Sequence, residues 1–433
     1  MNQKKQNNLL PIIMMFALFA MISFVTGLSN PMGVIVKNQP GVANWMSQLG
    51  NFANFLAYLF MGIPAGVILK KKGYKFSALA AIAVGFVGVG IQLISGLIPY
   101  TPGENNFTPI FLVYLFGAFV SGFSMCMLNT VVCPLLNTLG GGDKGGNQLM
   151  QFAGSLNSLS ATIVPILGGY LIGNIASASL SNAIPALLIA MSIFAVAFVV
   201  LSFVAIPEPH LEKESSKVKD EHSALSFRHF ILGAIAVFVY VGVEVGIPNF
   251  INLFLTDPSG LAYDAGIAGS VVGTYWFLMM IGRFLGGFAA SKVAPKMMLL
   301  SVSLLATLLT VAGIFSSEQI LINMPVFMSD ISFGLAEVPI SVLFFALCGL
   351  CTSVMWGSVF NLATEGLGKY TAMGSGFFMV MVVGGGVLPL VQGVVADLSN
   401  YMSSYWVIVA ACLYMVYYAL IGSRNVNTDI PTE

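Results

Sequence analysis

The sequence predicts an all-α membrane protein with twelve transmembrane helices arranged as two pseudo-symmetric six-helix bundles. Three observations predict it: a composition too apolar for water, twelve stretches long enough to cross a bilayer, and a one-sided distribution of positive charge. Of 433 residues, 57% are hydrophobic and 8% are charged, with a mean hydropathy of +0.91. Soluble domains carry about a quarter charged residues. Too little charge is present to coat that much apolar material, so the solvent is lipid and a water-soluble globule is excluded. The formal net charge is zero, which gives no footprint for a nucleic-acid partner.

An apolar helix needs about 20 residues to cross the hydrocarbon layer. Stretches near 9–36, 46–69, 77–98, 109–138, 148–175, 183–206, 230–255, 267–290, 297–315, 338–363, 372–396 and 404–422 qualify. The run after the opening MNQKKQNN is too long for the core of a signal peptide and reads as a retained first span. The longest charged stretch, PEPHLEKESSKVKDEHSALSFRH, separates the sixth span from the seventh. It divides the chain into an N-terminal half (1–206), a linker (207–229) and a C-terminal half (230–433). With twelve spans, 16 of the 17 Lys and Arg residues fall on the side of the N-terminus, and Lys37 alone falls opposite. The positive-inside rule makes that side cytoplasmic, with both termini on it.

The halves echo each other, as expected of a chain built from repeats. The fourth span reads SGFSMCMLNTVVCPLLNTLG and the tenth CGLCTSVMWGSVFNLATEGLG. Pro165 with Gly169 in the fifth span matches Pro389 with Gly393 in the eleventh, and Pro31 late in the first matches Pro248 late in the seventh. A proline inside a helix frees the carbonyl four residues back, here Gly27 and Glu244. At membrane depth such a carbonyl needs a cavity or a polar partner. Most of the 46 glycines read as sites of close helix approach. All five cysteines lie in apolar runs; Cys348 and Cys351 form a C-x-x-C with no neighbouring His or βαβ pattern, and read as packing residues.

Polar side chains inside spans are costly and face a bundle interior or a water-filled path. Asn30, Asn129, Gln151, Asn157, Asn249, Asn252, Trp356, Asn361 and Gln392 are the candidate substrate contacts, with Asn51, Asn54 and Thr130 nearby in sequence. Amides supply donors and acceptors without charge, which suits a neutral polyol, and an aromatic such as Trp276 or Trp356 offers a platform for a ring face. Each amide taken singly serves equally well to join two helices. Glu244 is the one acidic residue placed deep within a span, where a carboxylate can take and release a proton as a cavity opens to either side. Tyr240, one turn earlier, is on the same face and in position to donate to it. The structural alternative is a Glu that braces two helices. Lys71, Lys72 and Arg283 lie at corresponding turns of the two halves and are candidate gating cations, although topology alone also accounts for positive charge there. His210, His222 and His229 lie in or beside the linker with no Cys or acidic partner at ligand spacing, so neither a metal, a cofactor nor an enzyme is expected.

Several stretches resemble the fucose–proton symporter and glucose/galactose porter branch of the major facilitator superfamily. They are FVTGLSNPMGVIV in the first span, IPAGVILKKKGYK after the second, LNTVVCPLLNTLG in the fourth and GNQLMQFAGSLNSL opening the fifth. YVGVEVGIPNF, YWFLMMIGRFLG and VFNLATEGLGKYTAMGSGFFMVMVVGGGVLP extend the likeness through the second half. The resemblance implies the major facilitator fold and a monomeric permease of a bacterial cytoplasmic membrane. It implies import of a hexose, deoxyhexose or amino sugar by alternating access, with H+ or Na+ as coupling ion. A sugar uniporter and an exporter of drugs or metabolites are the alternatives on the same fold. Where the fucose symporter uses an Asp in the first span and a Glu in the fourth, this chain has Asn30 and Asn129. Asn157 matches that family's span-five Asn, and Glu244 sits in a V-G-x-E-V pattern similar to the glucose/galactose type. These departures turn the expectation from fucose towards a hexose or amino sugar.

Overall fold

The computed structural model describes residues 9–37, 39, 41–99, 107–140, 143–172, 179–208, 222–258, 261–289, 292–316, 318–328, 332–427 and 429–430. Pro31 cannot extend a regular hydrogen-bond ladder through the first span, which accordingly forms two helices, α1 (Leu9–Gly27) and α2 (Ser29–Lys37), parted at Leu28. A short α3 (Asn44–Ser47) leads into α4 (Leu49–Leu97), which carries the second and third expected spans as one element interrupted at Gly73. Gly73 has φ 84°, the left-handed region that favours glycine. A side chain there would also meet the Glu208 carboxylate, which accepts the backbone N–H of Tyr74 at 2.5 Å and of Lys75 at 2.9 Å. Those donors open the helical stretch after Gly73, and an acceptor from beyond the sixth span fixes this turn.

The chain continues through α5 (Phe107–Leu139), α6 (Asp143–Ile172), α7 (Ile184–Phe203), α8 (Arg228–Thr256), α9 (Ala265–Ala289) and α10 (Pro295–Phe315). A β-hairpin follows, β1 (Leu321–Phe327) and β2 (Phe333–Pro339), paired antiparallel with Phe327 opposite Phe333 and Leu321 opposite Pro339. Then come α11 (Ile340–Thr352), α12 (Met355–Thr364), α13 (Thr371–Met381), α14 (Gly384–Leu398), α15 (Tyr401–Ser404) and α16 (Trp406–Tyr417), which ends in a π turn, Tyr418–Gly422. Ten described segments are long and apolar enough to cross a membrane, the 49-residue α4 among them. Since α4 supplies two of the expected spans and α6, apolar over Phe152–Gly168, supplies the fifth, the twelve spans are accounted for. The hairpin was not expected: its alternation of buried Met324 and Val326 with exposed neighbours is a period-two signal that Pro325 and Gly334 disguise as loop.

Within the first six spans α4 packs on α5 and α7, and α1 on α6; within the last six α8 packs on α14, α12 and α16, and α10 on α11 and α16. Between the two sets the seam is made by α6 against α9 and by α4 against α13 and α14, with α2 on α8 and α3 on α14. Small residues let these backbones approach: a side chain at Gly269 would strike the Pro165 backbone, and one at Gly393 would lie 2.6 Å from Trp45 Cα. Below, the end of the bundle carrying Lys70–Lys75 and Lys292–Lys296 is the basic end, and the other is the far end.

Candidate functional site

At mid-bundle Glu244 meets Arg283, a candidate gating cation that the sequence sets at a cytoplasmic turn. Arg283 Nη2 donates to Glu244 Oε1 at 3.1 Å, with side-chain exposures of 13% and 16%. The other guanidinium nitrogen, Nη1, crosses the seam to the Gly154 carbonyl at 2.9 Å and the Ser158 hydroxyl at 2.8 Å on α6, with Asn157 Oδ1 at 3.5 Å. Asn157 in turn donates from Nδ2 to the Phe19 carbonyl at 2.9 Å, tying α6 to α1. The Glu244 carbonyl freed by Pro248 has found its partner: Tyr275 OH lies 3.2 Å away and also 3.2 Å from Thr352. Tyr240, expected to donate to Glu244, lies beside both Glu244 and Arg283. Its ring is tilted by 47° to that of Trp356, with centroids 6.0 Å apart. On the opposite side of the seam Asn129 donates to Tyr58 OH at 3.0 Å, and is half-buried.

Asn30, Asn249 and Asn252 are gathered elsewhere, nearer the far end, where they bind each other across the seam. Asn30 Nδ2 donates to Asn249 Oδ1 at 2.9 Å, Asn252 Nδ2 donates to Asn30 Oδ1, and Asn249 Nδ2 donates to Gln48 Oε1 at 2.9 Å. All four side chains are buried. A second set closes the same end. Asp397 at the end of α14 accepts the backbone N–H of Asn44 at 2.8 Å and of Trp45 at 3.0 Å, capping α3 from the other half of the chain. Tyr401 OH lies 2.8 Å from Asn44 Oδ1 and 2.7 Å from Asp257 Oδ2. Nearer mid-depth, Asn51 Nδ2 donates to the Gly385 carbonyl at 2.7 Å.

Towards the basic end the seam loosens. Gly62 of α4 meets Val380 of α13, with backbone N 3.2 Å from where a side chain would begin; one turn further on the same faces, Gly66 and Gly376 have nothing within 4 Å. Asn361 is exposed, and so are Lys71 and Lys72, the latter 6.0 Å from the centroid of the Phe76 ring. This arrangement is shut at the far end and parts towards the basic end. Gln392 lies within the C-terminal set of helices, fully buried, with Nε2 3.4 Å from Ser404 Oγ. The side chain of Gln151 falls outside the described residues. Among the described residues no three His, Cys, Asp or Glu are grouped to hold a metal, and Cys348 and Cys351 are free and buried.

Sequence reasoning missed Gln48, Tyr58, Ser158, Tyr275 and the quartet Asn44, Asp257, Asp397 and Tyr401. Asn44 precedes the second span, Gln48 lies in its first turn, and Asp257 and Asp397 sit at span ends, where polar residues carry little cost and so raise no signal. Tyr275 had one: a freed carbonyl at Glu244 requires a donor, and a tyrosine in a neighbouring span is a candidate.

Comparison with known proteins agrees with this architecture. The family profile described as Major Facilitator Superfamily matches residues 12–381. The chain is 28% identical over 414 residues to the glucose/galactose transporter of Brucella abortus (strain 2308), covering 94% of this chain and 93% of that one. It is 24% identical over 439 residues to the L-fucose-proton symporter of Escherichia coli (strain K12), covering 94% and 92%. Among solved structures, the transporter FucP in its outward conformation superposes with a TM-score of 0.68 at 20% identity, covering 96% of this chain and 99% of that one.

Proposed function

The chain belongs to the Major Facilitator Superfamily, and on that premise we propose that it imports a hexose, deoxyhexose or amino sugar by alternating access, as a cation symporter. Residues 1–206 and 230–433 are the two rocking halves, with the charged linker 207–229 between them. The basic end and both termini are cytoplasmic, in the cytoplasmic membrane of a bacterium, and the unit is a monomer that needs neither cofactor nor nucleic acid. The observation that carries this reading is the mid-bundle set: Asn129 with Tyr58 from one half, and the Glu244–Arg283 pair with Asn157 across the seam and with Tyr240 and Trp356 on its own side. Neutral hydrogen-bonding groups and a flat ring are what a sugar's hydroxyls and ring face need. Relatives named for glucose, galactose and fucose transport support the same cargo class. Glu244 is the proposed site of coupling, with H+ or Na+ as the ion.

A sugar uniporter is the second reading, and one observation favours it: Glu244 already has a fixed counter-cation in Arg283, so the site is balanced without an ion from solution. The deciding experiment is uptake of a panel of radiolabelled sugars by proteoliposomes with the proton and sodium gradients imposed separately. Accumulation of one sugar under one gradient establishes symport and its ion; equilibration without accumulation under either establishes uniport. No sugar taken up or exchanged would defeat the cargo assignment.

A further inference from the structure

We propose that the hairpin β1–β2 is embedded in the bilayer leaflet at the far end, the outer leaflet on the orientation proposed above, lying on the lipid side of α9 with Phe333 and Leu335 against acyl chains. The placement follows from the faces of α9. Gly273 packs on Ile166 and the Thr162 carbonyl of α6, while Tyr275 reaches Glu244 and Thr352, and Gly282 packs on Ser353. At about 100° per residue these occupy two sides of the helix. The remaining stripe carries Phe284, Leu285 and Phe288, exposed by 50%, 58% and 65%, which is the belt a span offers to lipid.

The hairpin sits on that same stripe. Phe327 N–H donates to Thr274 Oγ1 at 3.0 Å, and Phe277 stacks on Phe327 and meets Phe333 edge-on, both with centroids 5.4 Å away. Thr274 and Phe277 are nine and twelve residues into a helix that starts at Ala265. At 1.5 Å per residue Phe327 therefore lies roughly 14–18 Å along α9 from its far end, against a hydrocarbon layer of about 30 Å. A loop in water would not reach so deep beside a spanning helix.

Composition agrees with that depth. One face of the hairpin, buried at Met324, Val326 and Val338, packs against the protein. The other presents Phe333, 62% exposed, and Leu335, 69% exposed, on the part of β2 that follows the turn, and is polar at the base, where Asn323 faces Glu337. Lipid offers backbone groups no partner. On β1, the outward N–H at Phe327 is taken by Thr274, and two residues back Pro325 has none. Phe315, 75% exposed at the end of α10, and Ile320, 53% exposed just before β1, are also large apolar side chains open to the surroundings. Because the hairpin is fastened to α9, whose opposite side carries Arg283, its contact with lipid travels with that helix.

Nitroxide accessibility in proteoliposomes tests this without reference to transport. Labels on Leu335→Cys, Phe333→Cys and Glu337→Cys are compared with one on Leu308→Cys, 67% exposed on α10, and with the labelled parent protein as background. Oxygen partitions into acyl chains and nickel–EDDA into water. The expected result is a several-fold higher oxygen-to-nickel ratio at positions 335 and 333 than at 337, with the first two matching 308. Nickel-dominated relaxation at 335 and 333 would place the hairpin in water and overturn the proposal. Low accessibility to both reagents at 335 and 333 would mean that protein covers it, a second copy included, and would overturn it equally.

Discussion

Arg283 holds the Glu244 carboxylate at 3.1 Å and, through its other nitrogen, the carbonyl of Gly154 and the hydroxyl of Ser158 on the opposite half of the chain. One guanidinium therefore links Glu244, the acidic residue the sequence places deep within a span, to the seam that must part during transport. Coulombic attraction is strong at this depth because little water screens it. Any proton or cation that neutralises Glu244 weakens its hold on Arg283, which changes what binds α9 to α6.

The first prediction concerns that carboxylate. Glu244→Gln is expected to remove pH-driven accumulation of sugar, by at least about tenfold, equivalent to roughly 1.4 kcal/mol, while sparing exchange of labelled for unlabelled sugar. Exchange needs only the reorientation of a loaded carrier, whereas accumulation needs the ion. Counterflow and gradient-driven uptake in the same proteoliposomes measure both. Undiminished uphill uptake would remove Glu244 from the mechanism.

The partner behaves differently. Arg283→Gln leaves Glu244 without its counter-cation, and breaking one side of a buried pair costs about 3–5 kcal/mol. Expression and the midpoint of thermal unfolding in detergent should fall. Adding Glu244→Gln to the same protein should restore much of the loss, because an amide pair leaves no uncompensated charge. A double variant less stable than Arg283→Gln alone would show that the pair is not the dominant interaction at either residue.

Asn157 joins α6 to α1 through the Phe19 carbonyl and leaves its Oδ1 towards Arg283 and the space between the halves. Asn157→Ala should weaken sugar binding by about 1–2 kcal/mol, or roughly five- to thirtyfold in affinity. Isothermal titration with the sugar identified by uptake reads this directly. An unaltered affinity would argue against a cavity wall at this position.

Much of this architecture was legible in the primary structure because lipid is a demanding solvent. Spans such as 230–255 and 267–290 had to be long, apolar and helical, and the one-sided lysines fixed their number. Glu244 stood out for the same reason, a charge in a place where charge is expensive, whereas Arg283 read as a cation at a cytoplasmic turn and the structure sets it against Glu244. Which polar residue meets which was not legible. Asn30, Asn249 and Asn252 look identical in kind to Asn129 and Asn157, yet the first three bind one another across the far end and the last two lie at mid-bundle. Only the relative rotation and tilt of the helices separates them, and no periodicity within one span records that. The Asp397 contact escaped because it joins two loop-proximal segments 353 residues apart.

The far-end contacts make the last prediction. Asn252 gives Asn30 one of the hydrogen bonds that shut this end, and Asp397 gives α3 its acceptor. In membranes an interhelical side-chain hydrogen bond contributes about 0.6–1.7 kcal/mol. Asn252→Val should therefore raise the share of molecules open at the far end by roughly three- to eighteenfold, and Asp397→Ala by a comparable factor. The two substitutions share no partner, so their free-energy effects should add. Spin labels at Ser181→Cys and Leu398→Cys, both exposed at this end on opposite halves, report the separation by double electron–electron resonance. A longer-distance population should grow with each substitution and grow most with both. An unchanged distance distribution in the double variant would mean that apolar packing, such as Trp45 on Gly393, holds this end closed without help from the amides or the carboxylate.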